Sequence, residues 1–251
     1  MARVDDYRTK LAALDDWEPY LLRESGLPGP RGNLELAAAV AELGSPDQFA
    51  RWLTLSLKEA PVNSPQEFLV FCGVRGQGRL LVEGDHAALV TLRRFASDPR
   101  WRTREAVAMA LQRWGDADMD VLLAAMADWS RGTFLERRAA AAALCEPRLL
   151  VDPRHASAVL EILDAITTAI LSVEERRDPD FRVLRQALGY CWSVSVAALP
   201  ESGKAIMERW CASDDPDVRW IMRENLRKKR LQKMDDSWTA QQRHALHDDD
   251  S

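Results

Sequence analysis

The side chains best suited to chemistry in this 251-residue chain are its histidines, cysteines, serines and clustered acids, and their spacing limits what each can do. His244 and His247 stand one helical turn apart, a separation that would hold a metal loosely in a tail expected to be mobile, so they read as solvated. Cys72, Cys145, Cys191 and Cys211 are far apart and form no C-x-x-C pair, which points away from a zinc site or a redox dithiol and towards a reducing cytoplasm. Ser193 and Ser195 have neither a G-x-S-x-G elbow nor a base nearby in sequence, and read as helix residues bonded to backbone carbonyls. Glu174-Glu175 and Asp15-Asp16 are adjacent pairs that point to different sides of a helix, so neither is placed to share a proton. Gly73-Val74-Arg75-Gly76-Gln77-Gly78 lacks the preceding strand and the Lys-Ser/Thr ending of a phosphate loop, and is expected to allow close approach of helices. Asp116-Ala117-Asp118-Met119-Asp120 opens like a calcium loop, but Val121 replaces the glycine and Ala127 the glutamate, leaving the acidic start of a helix. No catalytic residue, metal ligand or cofactor is expected.

One constellation remains. At about 100° per residue, Arg219, Arg223, Arg227 and Arg230 fall on a helical strip roughly 80° wide, with Trp220 on its edge and Val218, Ile221 and Met222 on another side. From Arg219 to Lys233 there are seven basic residues against Glu224 alone. Such a face is either solvated or recognises an acidic partner, so Arg219, Trp220, Arg223, Arg227 and Arg230 are the expected partner-binding residues. Trp114, Trp129, Trp192 and Trp210 fall inside apolar helical patterns and are expected in the core.

The elements that must carry these residues are helices. β-branched residues nowhere alternate for long with polar ones, whereas apolar residues recur at helical spacing along most of the chain. Starts are marked by Ser45-Pro46, Ser64-Pro65, Asp98-Pro99, Asp152-Pro153, Asp178-Pro179 and Asp215-Pro216. Apolar residues make up 47% of the chain without a run of about 18 that could span a bilayer, and no membrane partner is expected. Met1 to Leu14 lacks the apolar stretch and cleavage site of a secretory signal, so no export is expected either. The net charge of −5 is uneven. Residues 1–90 carry 9 basic against 13 acidic residues, 91–234 carry 24 against 21, and 235–251 carry 1 against 5.

Asp178-Pro179-Asp180-Phe181-Arg182 superimposes on Asp215-Pro216-Asp217-Val218-Arg219, an aspartate-proline start leading to an apolar residue and an arginine. Carrying the alignment forward puts Leu184 on Ile221 and Leu188 on Asn225. A looser copy starts at Asp98-Pro99 with Arg104 in the arginine place, two residues late, and a fourth has Arg137 without an Asp-Pro ahead of it. Thr103 and Glu136 stand where those copies should carry the apolar residue. The motif resembles the second helix of a HEAT repeat, whose units of about 40 to 47 residues stack helix pairs. The resemblance implies an all-α, HEAT-like α-solenoid, right-handed, with a ladder of Arg104, Arg137, Arg182 and Arg219 paired to turn aspartates.

On this reading residues 1–90, broken at Gly26-Leu27-Pro28-Gly29-Pro30-Arg31-Gly32 and Ala60-Pro61-Val62-Asn63, form a divergent N-terminal helical cap. Residues 91–234 hold the repeats, and 235–251 form a polar acidic tail expected to fray. The expected function is a non-enzymatic interaction or scaffold protein, cytoplasmic, whose partner is a protein, with nucleic acid the alternative through the basic stripe. The length, helix pairs, tryptophans and arginines also resemble the HEAT-repeat alkylpurine DNA glycosylases, which implies a DNA-binding alkylation-repair activity as the second function. That family sets tryptophans and an aspartate against the damaged nucleotide, and no position here carries its aspartate motif. A HEAT-like lyase or chromophore-handling protein follows from fold analogy alone.

Overall fold

Proline fixes φ at a helical value and needs no donor at the first turn, while a serine or aspartate before it accepts from the exposed amides. In the computed structural model, which describes residues 2–248, five of the six cap-and-proline pairs start a helix directly. The exception is Asp98-Pro99, where the helix begins two residues later at Trp101. Asp98 is instead drawn into a buried ion pair with Arg100 at 2.7 Å. The described residues contain helices and turns and no strand, so the fold is all-α. No described helix is long and apolar enough to cross a membrane.

The chain divides into two compact units, Met1–Ala117 and Asp118–Ser251. The first holds α1 (Ala2–Ala12), α2 (Glu18–Glu24), α3 (Leu34–Leu43), α4 (Pro46–Trp52), α5 (Pro65–Val82), α6 (Ala87–Phe95) and α7 (Trp101–Ala117). The change of sequence pattern at residue 90 thus falls in the middle of α6, not at a boundary between units. α5 is the axis of this unit. Its residues are buried on nearly every side, because α2, α3, α4, α6 and α7 all pack on it. A helix so enclosed has no polar face, which is why Phe68-Leu69-Val70-Phe71-Cys72 runs apolar without a break. Gly73, Gly76 and Gly78, expected to allow close approach of helices, lie in this helix. A Cβ on Gly78 would stand 2.5 Å from the Ala110 carbonyl oxygen, so only glycine lets α5 approach α7 this closely.

The second unit holds α8 (Met119–Trp129), α9 (Phe134–Leu144), a 3-10 turn (Pro147–Leu149), α10 (Pro153–Ile170), α11 (Pro179–Ala198), α12 (Pro200–Cys211), α13 (Pro216–Leu226), α14 (Lys229–Met234) and α15 (Asp236–Asp248). Helices α8/α9, α10/α11 and α12/α13 pack as successive pairs. Across the pairs, α9 meets α11 and α11 meets α13, while α8 meets α10 and α10 meets α12. Phe134 and Phe181 make an edge-on contact at 5.5 Å between α9 and α11. Trp192 is fully buried on α11 and donates through Nε1 to Thr167 Oγ1 of α10 at 3.1 Å. Trp114, Trp129 and Trp210 are buried as well, as their apolar surroundings predicted.

The residues after Asp235 form a packed helix rather than a frayed tail. Trp238, Thr239 and Leu246 of α15 are buried, and Trp238 Nε1 donates to Glu208 of α12 at 2.6 Å. Lys204 of α12 bonds Asp235, and that contact, with the Trp238 amide and Ser237 hydroxyl, holds the Asp235 carboxyl well below the usual carboxylate range. Asp249 and Asp250 lie outside the described residues, as does the side chain of His247, so the His244–His247 pair is not placed.

The position where the repeat alignment set a polar residue against Leu188 is a structural joint. Asn225 is fully buried on α13; its carbonyl accepts from the Ser193 amide of α11 at 2.8 Å, and its amide donates to the Leu188 and Ile221 carbonyls, each at 2.8 Å. Asn225→Leu keeps the volume but leaves the Ser193 amide and the Leu188 carbonyl without that partner. The denaturant midpoint should fall by an amount equivalent to about 2 kcal/mol, since each buried polar group left unpaired costs about 1 to 3. An unchanged midpoint in chemical unfolding would show that the joint contributes nothing.

Candidate partner-binding surface

The contact between α11 and α13 determines where the stripe residues stand. Gly189 of α11 faces the Trp220 ring and Glu224 of α13, and a Cβ there would lie 3.1 Å from Trp220 Cζ3. The missing side chain lets the indole lie across α11. Arg185 of α11 stacks over the same ring, with its guanidinium carbon 4.3 Å from the ring centroid, and bonds Asp217 Oδ1 at the start of α13. Arg176, in the turn before α11, reaches Asp217 Oδ2 at 3.0 Å and Asp215 Oδ2 at 2.9 Å. Asp215 Oδ1 also caps α13 by accepting from the Asp217 and Val218 amides, each at 3.0 Å. Asp217 is buried, and its charge is balanced by two guanidinium groups.

This network corrects the arginine ladder. The arginine of α11 that reaches an aspartate at the start of α13 is Arg185, one turn beyond the position given by the sequence alignment, and Arg176 joins it from the turn before α11, while Arg182 is exposed. Arg104 donates to the Asp98 carbonyl at 2.7 Å, and Arg219 to the Leu246 carbonyl at 2.9 Å, so each of these two closes a backbone oxygen.

The stripe is not one helix face. α13 ends at Leu226, Arg227 is its C-cap, and Arg230 belongs to α14. Arg219 is buried beneath α15. Trp220 and Arg223 are half-buried, the former sandwiched as described. Arg227 is exposed and pairs with Glu224 at 2.5 Å. Arg230 bonds the Tyr190 hydroxyl and lies 4.7 Å from the centre of that ring, and Lys228 Nζ lies 5.8 Å from it.

Tyr190, on α11, is the residue that the stripe reading missed. It is 44% exposed, and it lies against Lys228 and Arg230, with Arg227 exposed next in the chain to Lys228. Its signal was present in the sequence: the apolar face of α11 runs through Phe181, Leu184, Leu188 and Trp192, and Tyr190 falls nearly opposite Leu188. Of the five predicted residues, Arg230 contacts Tyr190, Arg227 is exposed and paired with Glu224, Arg223 lies half-buried on α13, and Arg219 and Trp220 hold the helices together.

The remaining candidates for chemistry have structural roles. Ser193 Oγ donates to the Tyr190 carbonyl at 2.7 Å, as expected, whereas Ser195 Oγ lies 3.6 Å from Cys145 Sγ in the core. Asp118 caps α8 by accepting from the Val121 amide at 3.1 Å. All four thiols are buried, and burial pushes the Cys211 thiol up to about 12, far from a reactive thiolate.

Neither a protein-family model nor a curated protein sequence matches this chain. Its geometry therefore carries the functional reading.

Arg185→Ala removes both the Asp217 bond and the cover on Trp220, and should lower stability by about 1 to 3 kcal/mol. Arg182→Ala, three residues earlier and exposed, should stay within about 0.5 kcal/mol of wild type. Equal effects in thermal unfolding, or the reverse order, would contradict the network.

Proposed function

We propose that the chain is a HEAT-like α-solenoid interaction protein, without an enzymatic role, that binds an acidic protein partner through Tyr190, Arg227, Lys228 and Arg230. The repeat reading is supported by the succession of pairs α8/α9, α10/α11 and α12/α13, in which first helices meet first helices and second helices meet second helices. Each unit of such a stack contacts its neighbours only, and the surface so generated suits recognition. The four buried, unbridged cysteines suit a reducing compartment, and the cytoplasm is the location that goes with this reading.

The observation that carries the binding site is the exposed Tyr190 ring set beneath Arg230 and Lys228 at the point where α13 gives way to α14. Five of the seven residues from Arg227 to Lys233 are basic, and none is acidic. Guanidinium groups meet carboxylates in paired hydrogen bonds, and a half-exposed tyrosine adds apolar area with little side-chain entropy to lose. The enzymatic alternative would need an available carboxylate beside a tryptophan. Asp217, which Arg185 links to Trp220, is engaged by Arg176 and Arg185; Glu18 beside Trp52 is engaged by Arg51, and Asp164 beside Trp210 by Arg209.

The test uses the full chain and Arg227→Gln/Lys228→Gln/Arg230→Gln, whose circular dichroism and melting midpoint should match wild type because these side chains lie away from the core. Quantitative pull-down from cell extract should show partners captured by wild type and lost by the triple variant, with no oligonucleotide binding at low salt by either. Wild-type oligonucleotide binding whose salt slope becomes shallower in the variant would reassign the surface to nucleic acid. Identical capture by both proteins would mean that the cations are merely solvated.

A further inference from the structure

On the other row of helices in the second unit, a groove of about 510 Å³ lies between α8 and α10. Its walls include Leu123 of α8 and Ile162 and Ala165 of α10, and its polar groups include Arg131, Arg137 and Glu161. The groove follows α10 from Ala158 to Ala169, about 16 Å at 1.5 Å per residue. α8 and α10 run the same way, since His155 near the start of α10 contacts Asp120 near the start of α8 at 3.1 Å. Arg131 follows the end of α8 and Arg137 lies one turn into α9, so both cations stand at the Ala169 end, where α8 passes into α9.

Arg137 is the unusual member of this set. It occupies the repeat-arginine place in the one copy that has no Asp-Pro turn ahead of it. Arg104 and Arg219, at the same place in other copies, each donate to a backbone carbonyl. The Nε of Arg137 is buried and has no hydrogen-bond partner among the described residues. A half-buried guanidinium on the wall at the end of an apolar groove favours an anion that brings its own apolar body. With Glu161 also on the wall, two arginines leave a single positive charge for the groove to balance.

We propose that this groove binds a small amphipathic monocarboxylate, an unbranched medium-chain fatty acid, with its chain between α8 and α10 and its carboxylate on Arg137. The volume lies within the range of small-molecule sites, about 300 to 1,000 Å³. The site is independent of the Tyr190 surface. Glu161 works against the ligand charge and sets an upper limit on affinity.

Isothermal titration of the full chain with decanoate, below its micellar concentration, tests the assignment. Wild type should saturate at one site, and decanol, equal in chain length but uncharged, should bind at least about tenfold more weakly. Arg137→Gln should weaken decanoate by about tenfold or more, and Glu161→Gln should tighten it. Ala165→Trp fills the groove from an exposed position, so it should abolish binding while leaving the circular dichroism and melting midpoint as in wild type. The proposal is overturned by a wild type that does not saturate, by decanol binding as tightly as decanoate, or by decanoate binding that survives both Arg137→Gln and Ala165→Trp.

Discussion

A helix ends with carbonyl groups that have no intrahelical partner, and a fold made only of short helices multiplies those ends. The chain meets this constraint with arginine. Arg79 donates to the Ala41 carbonyl at 3.0 Å and the Gly44 carbonyl at 2.6 Å, closing the end of α3 from α5. Arg243 of α15 grips the Leu226 carbonyl at the end of α13, and Arg219 of α13 returns the favour to the Leu246 carbonyl of α15. Arg100 and Arg102 do the same for loop carbonyls, the latter reaching Gly29 at 2.5 Å. A guanidinium suits the task because it presents five donors in a rigid plane, keeps its charge when partly buried, and meets the negative end of a helix dipole. The composition is in keeping with it: 28 arginines stand against 6 lysines.

The same constraint explains the carboxylates in the interior. Glu67 is fully buried on α5 and pairs with Arg102 of α7 at 3.3 Å; Asp98 pairs with Arg100; Asp217 pairs with Arg176 and Arg185. Pairs of this kind give back little more than the desolvation they cost, yet loss of one partner leaves a buried charge. Their effect is therefore on geometry more than on net stability. Asp217 can be satisfied only when the turn before α11, α11 itself and the start of α13 meet in one register, and Asn225 fixes the other end of the same contact.

How much of this was legible in the sequence differs by residue. Five helix starts were readable because cap and proline act locally, within one turn. The apolar helix around Gly73 and the core tryptophans were readable because burial leaves a pattern in side-chain type. The arginine network was misread by one turn, since the alignment fixed Arg182 by its distance from Asp178, whereas the contact is set by the height at which α11 crosses α13, which no single helix records. Arg219 was misassigned to the surface because the polar residues after Asp235 gave little sign that Trp238, Thr239 and Leu246 would fold back on α12 and α13. The break after Leu226 also lacked a signal: no glycine or proline marks it, and Lys228, the N-cap of α14, makes no side-chain cap. With one helix assumed, four arginines formed a stripe; with two, a tyrosine from a third helix completes a different surface.

Half of the few lysines cluster in one segment. Three of the six lysines, Lys228, Lys229 and Lys233, fall in the seven residues that open and form α14. An ammonium is strongly hydrated and is a poor bridge between buried groups, so its concentration there marks a segment shaped for solvent or a partner and not for the interior. That segment is nonetheless held firmly. Leu231 is fully buried, and Arg243 closes the end of α13 just ahead of it. Cations on a braced turn lose less freedom on meeting an anion than the same cations on a loose tail. The arginines that hold the second unit together fix the helices, and the fixed helices set the positions of the charges on its lysine-rich turn.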